Sequence, residues 1–127
     1  APISTRLGFI VHGILLVDGD RNFREALAIA LRLDGAVVAT AASVRDALRL
    51  LAGAAFALVA VDGLLPGADE LVQALARSEA CVVVTGPHPE LLARAAARHG
   101  VPTLEKPFGA SALAACGRGG VPLARGA

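Results

Sequence analysis

Five short apolar runs, separated by stretches with helical periodicity, limit what this chain can fold into more than any other feature. The runs are Ile14–Val17, Ala36–Ala39, Leu58–Val61, Cys81–Val84 and Val101–Leu104. Each has the length and continuity of a strand buried on both faces. The first intervening segment predicts a helix from Asn22, with Glu25 three residues on as a capping box. Phe23, Ala26, Leu27, Ala30 and Leu31 then recur at helical spacing until Gly35. A second helix starts at Ser43, sets Val44, Leu48 and Leu51 on one face and ends at Gly53. A third follows Gly67, with Leu71 and Leu75 facing inward. The fourth carries Pro89 in its first turn and Gly100 just past its end, the usual punctuation of a helix. A fifth runs from about Ala110 to Gly117.

Strands and helices that alternate in this way require an α/β fold, a parallel sheet with helices on both faces. Right-handed crossovers restrict the topology further. The expectation is a doubly wound five-stranded parallel sheet in the flavodoxin-like order 2-1-3-4-5. Pro102 supports it, because a proline cannot donate to a ladder and belongs in an edge strand. Ligands of such sheets bind beyond the carboxyl ends of the strands, near the switch in strand order. A chain of 127 residues suits one core. Residues 14–116 would form that domain. Residues 1–13 read as an N-terminal extension, and residues 117–127, rich in glycine, as a C-terminal tail or linker.

Composition narrows the function classes. The chain is 55% hydrophobic with four Phe and no Trp or Tyr, so the core must be aliphatic. A net charge of +1, with arginines scattered singly, argues against nucleic acid and against an anionic membrane as partner. Glu90, Arg94 and Arg98 sit at four-residue intervals, the pattern of a solvated helix face. No apolar run is long enough to span a bilayer. Leu7–Val11 is too short for a secretory signal and lacks a cleavage pattern. Cys81 and Cys116 form no CxxC pair, which suits reduced thiols and a cytoplasmic location. His12 and His99 have no partner visible in sequence, and His88, before Pro89, reads as a helix cap or a water-facing residue.

Four of the five runs end in a residue of particular chemistry: Asp18, Asp62, Thr85 and Lys106. Parallel strands bring their carboxyl ends to one side, so these four should meet. Taken singly, each is an ordinary turn, cap or surface residue. Together, two carboxylates, a hydroxyl and an ammonium suit a divalent cation and a phosphoryl group. Mg²⁺ takes oxygen ligands, often one or two carboxylates and waters. Lysine, hydroxyls and backbone amides suit phosphoryl oxygens.

The stretches ILLVDGD, LVAVDGLLPG, VVVTG and LEKPF, in that order and spacing, resemble the receiver domain of two-component response regulators. The resemblance covers about residues 14–116. It implies a cytoplasmic signalling domain that accepts a phosphoryl group from a histidine kinase or phosphotransfer protein and switches a surface for a downstream effector protein or domain. A homodimer is a further possibility it carries. By position, Asp62 would be the phosphoacceptor. Asp18, Asp62 and the backbone carbonyl of Leu64 would hold Mg²⁺. Thr85 and Lys106 would contact phosphoryl oxygens, assisted by the amides of Gly63 and Gly86. Lys106-Pro107 matches the family's lysine-proline step, often a cis bond.

Two positions depart from that pattern. Gly19 stands where the family carries a second metal-binding acid, so weak Mg²⁺ affinity is expected. Thr103 stands where it carries an aromatic reporter. Asp20 has two possible uses, standing in for the absent acid or capping the following helix. A pseudo-receiver, keeping the fold as an interaction module without phosphorylation, is therefore the alternative function. DGDRN, residues 18–22, also matches the opening of haloacid-dehalogenase-type phosphatases. That class needs acids after its lysine, and no Asp or Glu follows Lys106.

Overall fold

The computed structural model describes residues 13–117. All five apolar runs form strands: β1 (Gly13–Val17), β2 (Val37–Ala41), β3 (Leu58–Asp62), β4 (Cys81–Gly86) and β5 (Thr103–Glu105). The helices are α1 (Arg21–Leu33), α2 (Val44–Gly53), α3 (Ala68–Leu75), α4 (Pro89–His99) and α5 (Ala110–Gly117). Every strand pair is parallel, in the order β2-β1-β3-β4-β5. Fold class and strand order are as the sequence predicts.

Alternation along the strands divides the core in two. Leu15, Val17, Val59, Val61, Val82 and Val84 pack under α2, α3 and α4. Ile14, Leu16, Leu58, Ala60 and Val83 pack under α1 and α5. Leu15 and Leu113 are wholly buried, and burying such a side chain contributes about 2 kcal/mol. The helix ends follow their sequence signals. Ser43 Oγ accepts from Asp46 N at 3.1 Å to cap α2. Gly100, at φ 68°, closes α4 in a left-handed conformation that glycine adopts without strain.

Several local expectations are corrected. Asp20, rather than Asn22, caps α1, accepting from Phe23 N at 3.1 Å. The inward stripe of α1 is Leu27, Ala28 and Leu31, preceded one turn earlier by half-buried Arg24. Ala26 is exposed. Its phase is wrong because the first inward position belongs to a charged residue whose head has a partner at the sheet end. In α2, Ala47 is the flush contact, flanked by Val44 and Leu51, while Leu48 is 52% exposed. A small residue at the centre of the stripe lets the helix lie close to the sheet and pushes Leu48 to its side. β2 starts at Val37 rather than Ala36. Only Thr103–Glu105 pairs in β5, at the edge as expected. Pro102 precedes that strand, its carbonyl accepting from Val84 N at 3.0 Å. Gly13 belongs to β1 and Gly117 to α5. Residues 1–12, with His12, and 118–127 lie outside the described residues. Among the described residues, no helix is long and apolar enough to cross a membrane.

Candidate functional site

β1 and β3 are neighbours, so the acids that end them stand side by side. Asp18 and Asp62 are both buried, and Thr85, the register partner of Asp62 on β4, is buried with them. The two carboxylates are held alike. Asp18 Oδ1 accepts from Asp20 N at 2.8 Å, and Asp62 Oδ1 accepts from Leu64 N at 3.0 Å. Each bond closes a turn between an aspartate and the amide two residues on. The remaining oxygens face the Lys106 ammonium, at 2.7 Å from Asp18 Oδ2 and 3.7 Å from Asp62 Oδ2. Buried charges persist only when paired in this way. Burial pushes the Asp18 carboxyl above its ordinary value, with the Lys106 ammonium pulling the other way.

Lys106 is fixed from three directions. Its amide donates to Gly86 O at 2.8 Å, tying the residue after β5 to the end of β4. The Lys106-Pro107 bond is cis. Its ammonium lies 4.8 Å from the centre of the Phe23 ring, a cation–π distance, and Phe108 meets that ring edge-on at 5.1 Å. Arg24, also half-buried, donates from Nη1 to the Asp18 carbonyl at 2.8 Å. Thus α1 contributes an aromatic and a guanidinium to a site that the sequence assigns to strand ends. Helical periodicity puts Phe23 on the inward face without assigning it to the site, and neither that periodicity nor the strand-end pattern points to Arg24 or Phe108. The signal available was a cation on the inward stripe of an amphipathic helix.

The carboxylate oxygens of Asp18 and Asp62 are hard donors brought together at one end of the sheet, a chemistry that fits a small divalent cation with water completing its shell. Position 19 adds nothing to that set. A Cβ placed on Gly19 would stand 3.2 Å from Leu65 Cδ2, so an aliphatic side chain borders that corner. Asp20 is committed to capping α1 and is exposed. Of the two uses open to it, the structure has the cap. Among the described residues, no three His, Cys, Asp or Glu side chains gather as a metal cluster.

Gly63 and Gly86 follow the ends of β3 and the core of β4, and both are covered by α4. A Cβ would lie 2.9 Å from Leu91 Cδ2 at Gly63 and 2.5 Å from the same atom at Gly86. The Gly63 amide is engaged with the Thr85 carbonyl at 2.8 Å, so the amide that reaches the Asp62 carboxylate is that of Leu64. His99 does have a partner. Its Nε2 lies 3.0 Å from Asp69 Oδ1, and Arg98 Nη1 donates to Asp69 Oδ2 at 2.9 Å, joining the last turn of α4 to the first turn of α3. These two bonds hold the Asp69 carboxyl below its ordinary value. His88 is exposed and makes no side-chain cap bond. Cys81 is in no disulfide, and its Sγ donates to the Cys116 carbonyl at 3.3 Å. Burial pushes the Cys81 thiol up.

Comparison with known proteins places this geometry. The response regulator receiver domain family matches residues 14–116. No curated protein matches the chain. Among solved structures, the signal receiver domain of an HD domain-containing protein from Pseudomonas fluorescens is similar at TM-score 0.74 and 23% identity, covering 86% of this chain and 93% of that one. A receiver domain protein from Clostridium thermocellum is similar at TM-score 0.73 and 22% identity, with the same coverage of 86% and 93%. A response regulator from Burkholderia pseudomallei, solved with a phosphorylated aspartic acid, a calcium ion and citrate, is similar at TM-score 0.72 and 24% identity, covering 82% of this chain and 65% of that one. At these identities the likeness speaks for the fold, and the family match supplies the rest: the chain belongs to the response regulator receiver domain family.

Proposed function

We propose that this domain accepts a phosphoryl group on Asp62 and thereby changes a surface read by a partner. The observation that carries the reading is the placement of the Asp62 carboxylate, buried beside Thr85 with its Oδ2 3.7 Å from the Lys106 ammonium. The domain spans residues 14–116, and its donor is a cytoplasmic histidine kinase or phosphotransfer protein. In the transfer, an Asp62 carboxylate oxygen attacks phosphorus in line with the phosphohistidine nitrogen. The new O–P bond forms as the P–N bond breaks, and the nitrogen keeps the electron pair. Lys106 and the Thr85 hydroxyl stabilise the transferring oxygens, and the Leu64 amide orients the carboxylate before attack. Asp18, Asp62 and the Leu64 carbonyl would hold Mg²⁺, which supplies further positive charge for the phosphoryl oxygens. With Gly19 the set lacks one negative ligand, so the affinity is weak. The phosphorylated aspartate and calcium ion of the similar Burkholderia protein support the assignment. The output is a shifted balance between two conformations, available to a downstream effector protein or domain.

A second reading, an interaction module that is never phosphorylated, is favoured by one observation: Leu65, not a carboxylate, borders the corner at Gly19. Intact-protein mass separates the two after incubation with a small acyl phosphate and Mg²⁺, beside Asp62→Asn. The expected outcome is one added phosphoryl group that requires both Mg²⁺ and Asp62. A folded protein that gains none, even at high Mg²⁺, is the interaction module.

A further inference from the structure

At the end of the sheet opposite the acids, an apolar groove of about 920 Å³ opens between the last turns of α2 and α3. Leu48 and Leu51 line it from α2, Leu71 and Leu75 from α3, and Phe56 and Ala57 from the turn that leads into β3. Leu48 is 52% exposed, and Leu51 and Phe56 are half-buried, so hydrocarbon faces water here. A contiguous apolar surface of this kind marks a place that receives an apolar partner.

Position, phase and composition all favour the chain's own N-terminal stretch as that partner. Gly13 O accepts from Ala57 N at 2.9 Å, so the chain enters β1 beside the groove itself. An extended chain advances about 3.3 Å per residue, which keeps residues 7–11 within about 20 Å of Gly13. Leu15 and Val17 face α2 and α3, and Gly13 shares their parity. Counted back by twos from Gly13, the same parity takes in Val11, Phe9 and Leu7, while His12, Ile10 and Gly8 alternate with them. Charge agrees as well. The acid lining the groove is Glu79, and the arginine among residues 1–12 is Arg6. Residues 118–127 fit less well, because α5 ends over Leu58 on the opposite face and they hold only Val121 and Leu123 as large apolar residues.

We propose that residues 7–11 lie in this groove as an apolar plug, with Leu7, Phe9 and Val11 against Leu48, Phe56 and Leu75 and Arg6 toward Glu79. The plug covers hydrocarbon that the fold leaves open, at the end of the domain away from Asp62, and it does not rest on the phosphoryl-acceptor reading.

The chain has no Trp or Tyr, so Phe9→Trp in the full chain introduces a single indole in the middle of the stretch. Its emission should be blue-shifted, and several-fold less open to acrylamide quenching than free tryptophan, at every protein concentration. Leu48→Asp, at an exposed position, should return both readings to those of an open side chain. A solvent-exposed indole in the folded protein overturns the plug and leaves the groove to another chain. A shielded indole that Leu48→Asp does not release also overturns it, since its cover then lies elsewhere. Shielding that fades on dilution seats the stretch on a second copy and overturns the intramolecular arrangement. Methyl NOEs in the unaltered chain decide the question if the indole is too large to enter. Contacts from Leu7 and Val11 to Leu48 and Leu75 are expected, and their absence overturns the proposal.

Discussion

The two halves of the site have both given up side chains, with opposite consequences. On the β1, α1 and β5 side the bare position is Gly19, and what is absent there is charge. Asp20 is engaged as a helix cap, Leu65 borders the gap with hydrocarbon, and Lys106 faces two acids instead of three. On the β3, β4 and α4 side the bare positions are Gly63 and Gly86, and what is absent is bulk. There Leu91 occupies the vacated space. Packing can replace volume, but it cannot replace a ligand's charge. The first half is therefore electrostatically reduced, while in the second a leucine covers the bare backbone.

The largest test of that contrast removes the cation. Lys106→Met leaves two buried carboxylates facing each other and should cost about 3 kcal/mol near neutral pH, read by urea unfolding. The loss should shrink in acid, where the Asp18 carboxyl, raised by its burial, protonates and no longer needs a counterion. On the other half, Gly63→Ala forces Leu91 and Val84 outward and should cost about 1–2 kcal/mol in the same assay, with little change in Mg²⁺ affinity. If it changed Mg²⁺ affinity as strongly as stability, the two halves would not be separable.

Gly19→Asp sharpens the contrast from the electrostatic side. Its Cβ has to displace only the flexible end of Leu65, and the added carboxylate should tighten Mg²⁺ about tenfold, or 1.4 kcal/mol, by titration calorimetry. Unchanged affinity would mean that charge is not what this half lacks. The smallest effect belongs to Asp69, which lies outside both halves. Its carboxyl is lowered by His99 and Arg98, so the folded state binds fewer protons than the unfolded one. The stabilisation is present above the ordinary carboxylate value and fades as pH falls through the lowered one. Asp69→Asn should flatten that part of the stability profile while barely changing stability in acid.

The fold was legible because five apolar runs of strand length alternate with segments of helical periodicity, a pattern that an α/β sheet requires. What failed were decisions that depend on tertiary partners. Val101 and Pro102 are more apolar than Thr103–Glu105, yet only the latter form a ladder with β4, Pro102 adding a single carbonyl bond to Val84 N. Leu48 has the right spacing, but Ala47 sets the approach of α2. Asp18, Asp62, Thr85 and Lys106 were visible since strand ends in a parallel sheet converge. Phe23 and Arg24 were not, because a helix contributes to such a site only once its rotation about its own axis is known. Leu91 was hidden for a similar reason, although two glycines beside two strand ends were a sign of close approach.

The strands that deliver the site are unequal in one further respect. Asp18 and Asp62 end β1 and β3, each buried along its whole length and paired on both sides. Lys106 follows a strand of three residues that pairs only with β4. Local opening costs least where pairing is short and one-sided, and most at the centre of a sheet. Amides of β5 should then exchange with solvent through brief excursions that leave β1 and β3 untouched. Each such excursion withdraws the ammonium from two carboxylates that stay where they are. The acids are a permanent fixture of the core, and their counterion is on a short tether.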